Sequence, residues 1–402
     1  MKISTIEVIR IGEPRWDDLP WWSTSPLDVF LTEGSTPPER QSGLYNKAPG
    51  TGDNVFALIV RIGLENDMIG IGCIALGSEA TAVFIERNLS PLVLGSSVFD
   101  TEMIWNKMFR GTINVGRRGL VLNAISGIDI AIWDALGHLL QQPVYNLLGG
   151  KTKKRFRSYL SSGYTMEDPD RMVDLAARYV SEGYTAFKMR FGYGPADGRP
   201  GMLKNKEIIR KLRLKLGDKM EIMGDAYMGW TRQYAIEMIR MIDEYELTWI
   251  EEPLLPDDVE GYAQIRSSCR TAIAGGEHEA TRWGFRRLIA AGAVDYVQLD
   301  VNRVGGITEA RKICNLAASF DLPVVPHSPN FHNAHLIMAN FNAPLIEMFP
   351  RDYRDGDTFI AELFHGDPVS RDGYVYLDDS PGFGVSLNDE VVDRFRVVSG
   401  TT

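Results

Sequence analysis

Residues 1–12 alternate apolar and polar side chains, and so does the run 54–76, NVFALIVRIGLENDMIGIGCIAL. A period of two marks half-buried strands, and LENDM reads as the turn between two of them. Helical periodicity follows at 79–92, 99–109 and 118–140. The last of these, RGLVLNAISGIDIAIWDALGHLL, carries an apolar stripe broad enough for a deeply packed helix. The paired glycines of QPVYNLLGG stop it.

From about residue 155 the texture changes. Short apolar runs at 158–162, 185–189, 221–225, 247–251, 271–275, 294–300, 322–327 and 345–349 alternate with amphipathic stretches such as NKEIIRKLRLKLG and TEARKICNLAASF. Strands joined by helical crossovers imply a parallel sheet, and eight of them close a barrel. A doubly wound open sheet is the alternative, but no GxGxxG follows any of these strands. The tail beyond 353 holds GYVYLDDSPGFGVSLN, a strand pair with a Gly-rich turn. The expected fold class is therefore α/β, a (β/α)8 or modified TIM barrel over 131–352. An N-terminal α+β capping domain covers 1–130, and the C-terminal segment 353–402 returns to that cap.

Residues 13–53 break the strand pattern with Pro, Gly, Trp and Ser. A loop that long inside a compact domain is either disordered or functional. Its aromatics, Trp16, Trp21, Trp22 and Tyr45, favour an active-site flap, with Trp21 and Tyr45 as candidate substrate contacts.

Composition narrows the function classes. The 402 residues carry 53 acidic against 43 basic side chains, a net charge of −10, without the basic cluster that nucleic acid requires. Three scattered cysteines, Cys73, Cys269 and Cys314, show no CxxC spacing and read as reduced thiols. With no signal-peptide run and no uninterrupted span of 18 apolar residues, a cytoplasmic protein without a membrane segment is expected.

Polar residues recur at the C-terminal ends of the expected strands: Lys188 and Arg190, Asp225, Glu251, Glu277 with His278, Asp300, His327 and Glu347. The steps from Asp225 to Glu347 are 26, 26, 23, 27 and 20 residues. One βα unit takes about 25 residues when ~250 make eight units plus longer loops, so each polar residue tops a successive strand on the catalytic face. A lone acid there would be a helix cap or a solvated loop charge. Three in register, Asp225, Glu251 and Glu277, would repel one another unless a cation neutralises them. An all-oxygen set suits Mg²⁺ better than zinc.

The motifs GDAYMGW, TWIEEPLLPDD, AIAGGEHEAT, VDYVQLDVNRVGGITEA and VVPHSPN surround these positions. Here the chain resembles the enolase superfamily, mandelate racemase subgroup, over nearly its whole length, and GEHEAT and PGFGVSLN resemble its rhamnonate dehydratase branch. The resemblance implies one Mg²⁺ per active site, a sugar-acid substrate such as rhamnonate or lyxonate, and a homo-oligomer between dimer and octamer. It implies α-proton removal beside a carboxylate, an ene-diolate, and loss of the β-hydroxyl. Carried over by motif, His327 is the base, Asp300 its partner, and Glu347 the group placing the carboxylate opposite Lys188. Many relatives carry KxK where this chain has Lys188 and Arg190. Arginine stays protonated at working pH, so a second base is missing and one-histidine dehydration is favoured over two-base racemisation. Arg190 then clamps substrate or supports the metal site, and His278 contacts the sugar chain or supports a ligand. The competing readings are a hydroxy-acid racemase or epimerase and a non-catalytic sugar-acid sensor.

Overall fold

The computed structural model describes residues 1–12, 23–26, 29, 55–75, 77–163, 168–350 and 360–397. Strands β1 (Ile3–Gly12), β2 (Val55–Leu64) and β3 (Ile69–Ile74) form an antiparallel sheet in that order. The turn between β2 and β3 closes through Leu64 N donating to Met68 O at 2.8 Å, with Asp67 at φ 64°. The helix Leu120–Leu140 lies against β2 and β3 and crosses the expected 130/131 division without a break.

By length and mean apolarity that helix could cross a bilayer, although its apolar run is interrupted by Asp129 and Asp134. Its side chains show why it is a core helix instead. Nearly all of it is buried, and its two aspartates are spent on other parts of the fold. Asp134 accepts from Ile71 N of the cap at 2.8 Å and from Phe383 N of the tail at 2.9 Å. Asp129 accepts from Thr308 N at 2.9 Å, in the first turn of the barrel helix Ile307–Ala318. Each aspartate thus satisfies backbone donors that burial would otherwise leave unpaired.

The barrel strands are β4 (Phe156–Ser162), β5 (Ala186–Arg190), β6 (Glu221–Asp225), β7 (Trp249–Glu251), β8 (Ala272–Gly275), β9 (Tyr296–Val297) and β10 (Leu345–Met348). β4 to β9 pair in chain order, all parallel, and β10 pairs with β4. The strand expected at 322–327 is reduced to one bridge, Val297 to Val324, with His327 N donating to Leu299 O at 2.9 Å. Pro323 and Pro326 explain the loss, because neither has an N–H for the ladder. The stretch 191–202 after β5, FGYGPADGRPGM, is rich in Gly and Pro, as a loop would be. Its second half is already helix, Gly198–Leu216.

Alternation inside the barrel builds two layers. Tyr159, Ala186, Met223, Trp249, Ala274, Val325 and Leu345 form a buried apolar layer. Two residues further along five of these staves stand Lys188, Asp225, Glu251, His327 and Glu347, all buried. The tail joins the barrel before it reaches the cap. β11 (Ser370–Arg371) and β12 (Tyr374–Val375) form a hairpin that adds antiparallel to β4, and only then does Arg396 bridge to Ile11 of β1.

Asp129 yields a prediction. Burial pushes its carboxyl up to about 7, with the Thr308 hydrogen bonds opposing. In the unfolded chain it titrates near ~4. A carboxyl raised by folding costs stability once it must ionise, so this cost is absent at about pH 4, grows up to about pH 7 and then levels at a few kcal/mol. Asp129→Asn keeps an acceptor that cannot ionise. Thermal unfolding from about pH 5 to 8 should show the variant gaining on the wild type as pH rises; parallel curves would contradict the assignment.

Candidate active site

Lys188 is the centre of the polar layer. Fully buried, its Nζ lies 2.5 Å from Glu251 Oε1, 2.8 Å from Glu347 Oε1 and 3.6 Å from Asp225 Oδ2. Burial alone would lower its pKa, but Glu251, Glu347 and Asp225 outweigh that and hold it well above the usual value. It is therefore a fixed ammonium. Glu251 is further held by Trp249 Nε1 at 3.0 Å and Gln298 Nε2 at 2.6 Å, both donating to Oε2. Burial pushes its carboxyl up to about 7 against the pull of Lys188.

Arg190, two residues beyond Lys188 on the same side of β5, places Nη1 3.1 Å from Asp225 Oδ2, and its guanidinium stacks 4.6 Å from the Tyr227 ring. Asp225 also accepts from Tyr227 N at 2.8 Å, and burial raises its carboxyl despite Arg190 and Lys188. Tyr227 and Met228 both sit at positive φ, which turns the chain sharply away behind Asp225.

Glu277 does not belong to the alternating layer, because Gly276 intervenes. At φ 124° Gly276 is in backbone that favours glycine, and an added Cβ there would lie 2.8 Å from the Phe285 ring. That turn delivers Glu277 into the mouth. Its Oε1 lies 3.6 Å from His327 Nε2, 3.6 Å from His278 Nδ1 and 3.1 Å from Arg303 Nη1. Although burial opposes it, His327, His278 and Arg303 hold Glu277 below the usual carboxylate range.

His327 forms the expected pair. Its Nδ1 lies 2.9 Å from Asp300 Oδ2, so Nδ1–H donates to the carboxylate and Nε2 faces Glu277. Burial would lower the imidazole, but Glu277 and Asp300 carry it to about 9. Glu347 Oε2 accepts from Ser328 N at 2.9 Å, which ties it to the same loop.

All nine described candidates thus meet on one face: Lys188, Arg190, Asp225, Glu251, Glu277, His278, Asp300, His327 and Glu347. Trp21 and Tyr45 lie outside the described residues. Ser23 and Thr24 do not, and they are buried against this face, with Thr24 N donating to Phe191 O and Thr24 Oγ1 to Ala226 O. His332 and His335 are buried packing residues, as their helical spacing suggests, lowered by burial to about 4 and about 3.

Sequence reasoning missed four participants. Gln298 and Trp249 hold Glu251, Glu252 holds His278 Nδ1 at 2.7 Å, and Arg303 joins Asp300 to Glu277. A period-two reading would have found Trp249 and Gln298, and a helical step of three from Asp300 would have found Arg303.

The donor set fits a divalent cation. Six carboxyls, those of Asp225, Glu251, Glu252, Glu277, Asp300 and Glu347, are buried beside three permanent cations, Lys188, Arg190 and Arg303. Among the described residues, Glu252 Oε1 is buried without a hydrogen-bond partner, and Asp225 Oδ2 has only its ion pairs with Arg190 and Lys188. One ligand atom each from Glu252, Glu277 and His278 lies within 4.8 Å of the others, so Glu252 and His278 stand beside the expected trio as donors.

Known proteins share this architecture. The family description "Enolase C-terminal domain-like" matches residues 171–391, and "Mandelate racemase / muconate lactonizing enzyme, N-terminal domain" matches 41–149. An L-rhamnonate dehydratase of Saccharopolyspora erythraea is 39% identical over 346 residues, 85% of each chain. The crystal structure of L-rhamnonate dehydratase from Gibberella zeae superposes with a TM-score of 0.84 at 30% identity, covering 97% of this chain and 94% of that one. A crystal structure of rhamnonate dehydratase from Gibberella zeae complexed with Mg gives 0.82 at 29%, covering 98% and 96%. A racemase from Streptomyces coelicolor with bound magnesium gives 0.81 at 26%, covering 98% and 100%. The barrel, its cap and these matches place the chain in the mandelate racemase / muconate lactonizing enzyme family of the enolase superfamily.

Proposed function

We propose that the chain is a Mg²⁺-dependent hydro-lyase that converts an aldonic acid, rhamnonate or a close relative, into a 2-keto-3-deoxy acid. The observation that carries this reading is the pairing of Arg190 with Asp225 where a second base would otherwise stand. One imidazole, His327, then serves one face of the substrate. The likeness to the L-rhamnonate dehydratases supports the substrate class.

Asp225, Glu251 and Glu277 would hold Mg²⁺, with Glu252 and His278 adjacent. The bound ion supplies a Lewis acid that neutralises the charge building on the substrate carboxylate as the α-proton leaves. Lys188, kept cationic and braced by Glu347, orients that carboxylate. In its neutral form, which would be favoured once Glu277, one of the two carboxylates that raise it, is engaged by the cation, His327 Nε2 accepts the α-proton while Asp300 fixes the ring through Nδ1. The same proton then leaves with the β-hydroxyl as water, and the resulting enol tautomerises to the keto acid.

Incubation of C5 and C6 aldonates with the Mg²⁺-loaded protein should release 2-keto acid from at least one of them. A folded, metal-loaded protein that acts on none would sink the proposal. Exchange of the α-proton with deuterated solvent without keto acid would favour the racemase reading, which the Streptomyces coelicolor neighbour keeps in view. His327→Asn should lower kcat by about a hundredfold or more, the low end of what a positioned acid–base group contributes, and a variant that still turns over at the wild-type rate would mark a wrong base.

The metal assignment is tested separately. Chelation should abolish turnover and lower Tm, with both restored by Mg²⁺, because a ligand bound only by the folded state stabilises it. Asp225→Asn should lose most of that Mg²⁺-dependent gain in Tm; an unchanged gain would place the ion elsewhere.

A further inference from the structure

We propose that Arg303 is a positioning residue that locks the carboxylate partner of His327 to the carboxylate of Glu277, and that the capping domain sets its height. Arg303 lies in the single helical turn Val301–Val304, whose N-cap is Asp300, with Asp300 Oδ1 accepting from Asn302 N at 2.8 Å. Its Nε is 3.3 Å from Asp300 Oδ2, and its Nη1 is 3.1 Å from Glu277 Oε1 and donates to Glu277 O at 3.3 Å. One planar guanidinium therefore addresses two carboxylates on neighbouring staves. Both of those carboxylates also face the His327 ring, one at each nitrogen. A fork of fixed geometry sets the spacing of two such partners, which a point-like ammonium does not.

The far end of the same turn is bolted to the cap. Gly305, at φ 112°, accepts at its carbonyl from Trp105 Nε1 at 2.8 Å and donates its N–H to Ser126 Oγ at 3.0 Å. Two residues past Gly306, Thr308 N donates to Asp129. The segment from Asp300 to Thr308 is thus held by the active site at one end and by two cap helices at the other, with Arg303 between. The cap then fixes the geometry of the proton-transfer pair as well as enclosing it.

The kinetic part rests on the dehydratase reading; the metal-binding part does not. Mn²⁺ affinity, read by electron paramagnetic resonance without turnover, and steady-state kinetics on the responsive aldonate are measured for wild type, Arg303→Met and Arg303→Lys. Supporting groups of this kind are worth about 10- to 100-fold. Arg303→Met is expected to bind Mn²⁺ about 10-fold more weakly and to lose about 100-fold in kcat, with KM within about threefold. Arg303→Lys should recover the Mn²⁺ affinity, since the charge is kept, but not kcat. Trp105→Phe, remote from the mouth, should lower kcat several-fold at unchanged KM. Variants within about threefold of wild type in both readouts, or a loss confined to KM or to Tm, would overturn the proposal. If Arg303→Met does not fold, Arg303→Lys decides, and a wild-type kcat there overturns it. Should no aldonate react, the dehydratase reading fails while the Mn²⁺ series still judges Arg303.

Discussion

The constraint on which the rest of this site depends is the burial of negative charge. An isolated carboxylate taken from water costs several kcal/mol even after relaxation, and here six are buried around one mouth. Lys188 offsets three of them at once, Arg190 one, and Arg303 two. The balance remains negative, and Glu252 Oε1, buried without a hydrogen-bond partner among the described residues, shows where it is felt. Such a site is poor at stabilising itself and well suited to a divalent cation and an anionic substrate that arrives with it. Stability is given up at the place where function needs an unsatisfied field.

That field also divides the roles. Lys188 could be imagined as a base from its place on β5, but three carboxylates keep it protonated, so it orients and neutralises. Arg190 cannot take a proton at all. His327 is left as the group able to exchange one, and its two nitrogens are assigned by their partners, Nδ1 to Asp300 and Nε2 to the mouth. The chemistry thus narrows because neighbouring charges remove the alternatives.

How much of this was legible in the sequence follows from the geometry of strands. In a closed parallel barrel, residues two apart face the same side, so Lys188, Asp225, Glu251, His327 and Glu347 could be placed from spacing alone. Asp300 follows from Gln298 by the same step. What spacing could not reveal came from backbone that leaves the period. Glu277 enters through the turn at Gly276, Glu252 reaches His278 from just beyond β7, and Arg303 arrives by a helical step of three. The seventh stave reads as a strand because PVVP is apolar, although its prolines interrupt the ladder and leave one bridge. The Leu120–Leu140 helix shows the converse. Length and apolarity alone do not separate it from a membrane helix, whereas its burial and the partners of Asp129 and Asp134 mark a core helix.

Those two aspartates bear on why the capping domain and the barrel act as one body. A helix apolar enough for a bilayer packs on almost any apolar surface, so hydrophobic burial alone leaves its register loose. Hydrogen bonds are directional, and an unsatisfied buried carboxylate or amide is costly, so each polar contact rejects neighbouring registers. Asp134 fixes the helix to β3 and to the tail at Phe383, and Asp129 fixes it to the barrel helix that follows Gly306. Glycine is required at 306 because an added Cβ would lie 2.4 Å from Asp129 Oδ2, with φ at 82°. The GGITEA motif is therefore the seam where the cap grips the barrel, a few residues downstream of Asp300, the partner of His327.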